Sequence, residues 1–165
     1  FGSRCPRPEP GSVAAAAVAG ARAMASELST DGTMLAAKLL MALGSALSLF
    51  SVKMTFRHSL MASFEAPGYD KGPKHTRYHA FRGGTLALGA IATLNMVVHA
   101  PKRDRSPTLW AVAAVTSLGY FGGWWMPKPY LGLRTPSWMA EGIHLGAAGA
   151  SVLSLLLARP FFQTA

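Results

Sequence analysis

Four stretches of this 165-residue chain, residues 34–52, 83–100, 107–126 and 137–158, run almost without charge, with Lys38 and Glu141 their only ionised side chains. A bilayer-spanning helix needs about 20 mostly apolar residues at 1.5 Å rise per residue, and each stretch is near that length. The expected fold class is therefore all-α: an integral membrane four-helix bundle with a long basic loop between its first two helices. A soluble bundle with buried helices is the competing expectation. Charged residues make up only 14% of the chain, against about 25% in an average domain, which leaves too little polar face to solvate four such helices.

The ends of the stretches carry their own signals. Lys38 lies one turn into the first, where its aliphatic stem can snorkel to the interface. The second stops at Pro101. The third has Ser106 as N-cap, Pro107 at the first helical position and Pro127 beyond its end, and the fourth is opened by Thr135-Pro136-Ser137 and stopped by Arg159-Pro160. Trp110 and Trp124-Trp125 flank the third stretch fourteen residues apart, roughly 21 Å on a helix, as interfacial aromatic belts require.

Sixteen Lys and Arg against seven Asp and Glu give a net charge of +9, yet the cations fall between the apolar stretches instead of forming one stripe, so no nucleic-acid partner is expected. The loops from Lys53 to Arg82 and from Pro127 to Pro136 hold eight of them: Lys53, Arg57, Lys71, Lys74, Arg77, Arg82, Lys128 and Arg134. The other side holds Lys102, Arg103, Arg105 and Arg159. The positive-inside rule then places the two richer loops in the matrix, stroma or cytoplasm and both termini across the membrane. Early in the first loop, Phe56, Leu60, Met61 and Phe64 recur at helical spacing, so the first helix either continues or turns into an interfacial amphipathic helix.

Residues 1–26 contain three Arg, one acid, three Pro and an alanine run, the composition of an organelle transit peptide. Processing near Ala23, Met24 or Ala25 is expected, and residues 27–165 form a single membrane domain. The leading Phe resembles the first residue of transit peptides targeting red-lineage complex plastids. A disordered tail, or a true start at Met24, is the alternative. An organelle membrane, plastid thylakoid or mitochondrial inner membrane, is the expected location.

Candidate sites are few. Gly142, Gly146 and Ala150 repeat at four-residue spacing, a small-residue face that lets another helix approach closely. Glu141 and His144 are three apart and share a helix face. Di-iron bundles use that spacing twice with two further carboxylates, and no second Glu-x-x-His occurs here. The same motif resembles the chlorophyll-ligating helix of light-harvesting proteins, although position 146 is Gly where that family has Arg. His144, Glu141, His99 and Trp124 are the candidate cofactor contacts, with chlorophyll, carotenoid or haem as candidate ligands and bound lipid expected. Interface placement of Glu141 and a hydrogen bond from His144 to a neighbouring helix is the structural alternative. His75 and His79 have metal-ligand spacing on a helix but no convened third ligand, so no metal is expected. Lys71, Lys74, His75, Arg77, His79 and Arg82 suit anionic headgroups or an acidic partner. The lone Cys5 excludes an intrachain disulfide, and no nucleophile elbow, Gly-rich phosphate loop or Ser/His/Asp pattern is present, so no enzyme activity is expected.

The layout of four short helices, with a polar loop after the first, a Gly/Ala-rich second and a His early in the fourth, resembles that of DoxX-like small membrane proteins over roughly Met34 to Leu157. That resemblance implies a subunit or relative of quinone-linked systems. Two functions are expected from the whole: a non-catalytic accessory subunit of a large energy-transducing complex, with other subunits and lipid as partners; or a small DoxX-like protein that binds a quinone, lipid, haem or pigment, or acts as a transporter. A membrane enzyme using His75 and His79 with a metal comes third.

Overall fold

The computed structural model describes the backbone of residues 10–65, 75–133 and 137–163, and side chains from residue 30 onward within them, Phe64 excepted. Those residues are almost entirely helical: α1 (Pro10–Leu60), α2 (His75–Val98), α3 (Pro107–Trp125), α4 (Pro127–Leu131), α5 (Trp138–Ala158) and α6 (Pro160–Gln163). Among the described residues there is no strand.

The polar punctuation works as local chemistry demands. Ser106 and Ser137 sit in extended conformation, and their hydroxyls accept from the amides of Leu109 and Ala140, both at 3.2 Å, satisfying one orphan donor at the start of α3 and α5. Gly132 ends α4 in the left-handed region at φ +67°, where a side chain would be strained.

α1 is longer than its apolar stretch. From Ser51 to Leu60 the sequence has no Gly or Pro to break it, and the Thr55 and Ser59 hydroxyls bond back to the carbonyls of Ser51 and Phe56. With α2 opening at His75, the expected loop from Lys53 to Arg82 shrinks to residues 61–74. Lys53 and Arg57 ride on α1, Arg77 and Arg82 on α2; Lys71, Lys74 and Arg134 lie outside the described residues. Residues 1–9 of the expected transit segment also lie outside them.

α1 packs along α5 on one side and α2 on the other, while α3 touches both α2 and α5. The interior combines large apolar side chains such as Met41, Leu94, Val98, Phe121 and Phe162 with small and hydroxylated residues, which concentrate where α1 meets α5. Ala37, Met41 and Gly44 of α1 meet Ala147, Ser151 and Ser154 of α5, and Ser154 donates to the Ala37 carbonyl at 2.6 Å, 117 residues away in sequence. The outside is the reverse: Leu39 is 63% exposed, Val115 69% and Leu118 75%, while Ser154 is 0%. An apolar exterior that continuous over a serine-bearing interior suits hydrocarbon, not water.

Thr30–Leu60, α2 and α5 are long and apolar enough to cross a membrane, and the protein is a multi-pass membrane protein. The expected fourth span, α3, falls short on hydropathy although it is uncharged. Its 19 residues include Pro107, Tyr120, Trp110, Trp124, Trp125 and Gly119, Gly122, Gly123, residue types that hydropathy scales rate as weakly apolar or polar.

Candidate functional site

The residues with chemical capacity gather where α1 and α3 end and α5 begins. Ser51 of α1 and His144 of α5 are hydrogen-bonded, Oγ to Nε2, at 3.2 Å. The Trp124 ring lies over the imidazole, centroids 4.2 Å apart and planes 28° from parallel. Tyr120 and Phe121 meet Trp124 edge-on at 5.0 and 5.1 Å. One residue further, Trp125 donates its indole N–H to Glu141 Oε1 at 2.8 Å. Consecutive residues point about 100° apart on a helix, so the Trp pair reaches two partners on α5 from adjacent positions. Glu141 also sits in the first turn of α5, where the helix dipole favours a carboxylate.

Three of the four candidate cofactor contacts, His144, Glu141 and Trp124, are therefore brought together, as an interhelical polar cluster. His99 is not. It lies at the opposite end, exposed, against the Asn95 carbonyl of its own helix at 3.0 Å. Asn95 itself donates from Nδ2 to Ser45 Oγ of α1 at 2.6 Å, a second bridge between helices. Such bonds in membranes contribute on average about 0.6 kcal/mol and at most about 1.7. Asn95→Leu is expected to cost roughly 1 kcal/mol in denaturant unfolding of the micellar protein, and a double-mutant cycle with Ser45→Ala should return most of it as coupling.

The geometry of His144 is that of a packing histidine. Nε2 faces Ser51, and Nδ1 is buried with no hydrogen-bond partner. A haem or chlorophyll metal needs a nitrogen with clearance for the macrocycle; here Nε2 is engaged by Ser51 and Nδ1 is buried. A Ser–His contact is also half of a nucleophilic triad, but the triad's acid must orient the ring through Nδ1. Glu141 does not hydrogen-bond that nitrogen and instead accepts from Trp125.

On the basic end, His75 and His79 lie on one face of α2 and share a hydrogen bond between their Nε2 atoms at 2.9 Å. Among the described residues no group of three or more His, Cys, Asp or Glu could hold a metal ion. Arg77, expected to meet headgroups, is turned inward: it donates to the Ser59 carbonyl at 2.7 Å and to Glu65 at 2.9 Å, tying α2 to the end of α1. Arg82 is exposed.

The small-residue face divides differently from expectation. The close α1–α5 contact is made by Gly44, where an added Cβ would meet Ser151 Oγ and the Ala147 carbonyl oxygen at 2.9 Å. Among the described residues, a Cβ at Gly142 would meet nothing outside its own helix within 4 Å, one at Gly146 would meet Leu47 of α1 at 3.1 Å, and Ala150 is half-buried. Gly146 thus borders α1 through Leu47, while Gly142 and Gly149 face outward.

Sequence reasoning missed Ser51, Ser45 and Tyr120, and named Trp125 only as a belt aromatic. The available signal was the run Ser45, Ser48, Ser51 at three-residue spacing inside an apolar helix, since hydroxyls in a span turn away from lipid.

These features define an all-helical multi-pass membrane protein with a polar cluster at one end. Comparison with protein-family models, curated proteins and solved structures finds no match for the chain. The DoxX-like layout rests on the helix pattern alone.

Proposed function

We propose that the chain crosses its membrane four times and serves as a non-catalytic packing subunit of a larger membrane complex. The observation that carries this reading is the exposed glycine face of α5: Gly142, Gly146 and Gly149 are exposed, and among the described residues a Cβ at Gly142 or Gly149 would meet nothing outside its own helix within 4 Å. Glycine in a helix interior costs about 1 kcal/mol relative to alanine, and a closely approaching helix is what makes use of it. The fourth crossing is α3: uncharged, flanked by its Trp residues, with Val112, Val115 and Leu118 outward. An organelle membrane and a parent complex of photosynthetic, respiratory or ATP-synthase type are proposed on the N-terminal composition alone.

Native electrophoresis of solubilised membranes tests this. The protein should migrate within a larger assembly, and Gly142→Ile with Gly149→Ile should release it while Leu153→Ile does not. Migration near its own 17.4 kDa mass plus detergent, or equal behaviour of all variants, would contradict the proposal.

A second reading, a small protein that binds a quinone, lipid or pigment, is favoured by a cavity of about 480 Å³ between α2 and α3. Gly83, Ala87, Gly119 and Gly123 line it, and Ser51, Tyr120 and Trp124 close one part, which suits an elongated apolar molecule with one hydrogen-bonding group. Solvent extraction of the purified protein yielding no stoichiometric quinone, carotenoid or lipid would dispose of it.

A further inference from the structure

At the end of the helices opposite the polar cluster, where α3 begins and α5 gives way to α6, there is a cleft of about 490 Å³. Three separate segments build it. α1 contributes Lys38, Asp31, Met34 and Leu35; the turn before α3 contributes Lys102 and Arg105; α6 contributes Phe161. Three cations face one carboxylate, so the lining carries a net positive charge. Neither Lys38 nor Lys102 forms an ion pair among the described residues, whereas Arg105 is held in place. Its Nε donates to the Ala100 carbonyl at 3.1 Å and its guanidinium lies 5.8 Å from the Phe162 ring centre. A guanidinium has five N–H donors, so four remain for a ligand.

The surroundings are those of a membrane interface. Trp110 donates to the Leu155 carbonyl at 3.0 Å and carries the Arg159 guanidinium 5.3 Å from its ring centre. Lys38 is half-buried two turns into the span Thr30–Leu60, where a lysine stem can lie along hydrocarbon while its ammonium snorkels toward the headgroups. Cations and apolar side chains thus share the wall of one recess.

We propose that this cleft binds the phosphodiester of an anionic membrane lipid, with Lys38, Lys102 and Arg105 on the phosphate and Met34, Leu35 and Phe161 against the glycerol and first acyl carbons. The apolar wall is what separates a lipid from free phosphate, which shares the anionic chemistry but gains nothing from Leu35 or Phe161. Asp31 opposes the ligand's charge and limits affinity.

The test is lipid binding to the purified full chain in neutral detergent, read by native mass spectrometry with phosphatidylglycerol, phosphatidylcholine and inorganic phosphate as probes. A basic residue near an anionic lipid surface contributes about fivefold in binding. Phosphatidylglycerol should bind in preference to phosphatidylcholine, and millimolar phosphate should not displace it. Lys38→Gln with Lys102→Gln should weaken it by more than tenfold, and Asp31→Asn should tighten it by about fivefold. The pair Lys53→Gln and Lys128→Gln, outside the cleft, should leave it unchanged. These Lys and Asp variants remove no ion pair described in the fold, and the gain at Asp31 cannot come from misfolding. Equal binding to the first double variant, equal loss from both double variants, or displacement by inorganic phosphate would overturn the proposal.

Discussion

Gly44→Leu should separate α1 from α5 and cost more stability than any other single substitution in the apolar interior. Even a methyl group at position 44 would meet Ser151 Oγ, the Ala147 carbonyl oxygen at 2.9 Å and the Ser151 amide nitrogen at 3.1 Å. Two of those three atoms are backbone, so relief requires α5 to move as a unit. Overpacking of this kind costs about 1–3 kcal/mol. Gly44→Ala should fall in that range in SDS-titration unfolding, and Gly44→Leu beyond it. The Ser154 bond to Ala37 lies along the same seam and would be strained by the same displacement. Ser151→Gly should recover part of the Gly44→Ala loss, because it removes the nearest side-chain atom and leaves the carbonyl contact. Gly89→Ala is the control: its Cβ would enter open space, so the change should be neutral or gain a few tenths of a kcal/mol from helix propensity. Stability of Gly44→Leu equal to that of the parent would refute the α1–α5 contact.

That seam also shows what a reader of the sequence could and could not see. Helix ends were legible because Ser106-Pro107, Ser137 and Pro127 satisfy or remove backbone donors locally, and local chemistry survives into the fold. The continuation of α1 to Leu60 was legible only as one of two alternatives, in the helical spacing of Phe56 and Leu60, because nothing between Ser51 and Leu60 breaks a helix while the charges of Lys53 and Arg57 look like a loop when counted. Facing was harder still. In water a helix turns its apolar stripe inward, but here Leu39 and Val115 are outside and Ser48 and Ser154 are inside, so hydrophobic periodicity carries little information on orientation. Small residues carry more, yet a motif such as Gly142-xxx-Gly146 states only that something approaches closely. Within the chain the closest approach is made at Gly44, which lies outside that motif. His144 and Trp124 could be named from a His inside a span and a belt aromatic. Their partner Ser51 could not, because the sequence separation of 93 between Ser51 and His144 makes that meeting a product of tertiary packing alone.

The polar cluster gives the second large effect, and it separates a packing histidine from a ligand-bearing one. His144→Ala removes the ring stacked on Trp124 and leaves Ser51 without its partner. Truncating a well-packed aromatic to alanine costs about 3–5 kcal/mol when fully buried; His144 is half-buried, so a loss of roughly 2 kcal/mol is expected in SDS-titration unfolding. His144→Phe keeps a flat ring against Trp124 and eliminates the buried Nδ1 that has no partner. An unsatisfied buried polar atom costs about 1–3 kcal/mol, and a membrane hydrogen bond such as that to Ser51 contributes about 0.6. The gain exceeds the loss, and the Ser51 hydroxyl left without its partner takes back part of it, so His144→Phe should be neutral or stabilising by about 1 kcal/mol. Were His144 instead the ligand of a pigment or haem, phenylalanine would fail as badly as alanine, and a visible absorption band of the purified protein would vanish in both. Equal destabilisation by the two substitutions, with loss of such a band, would replace the packing account with a ligand-binding one.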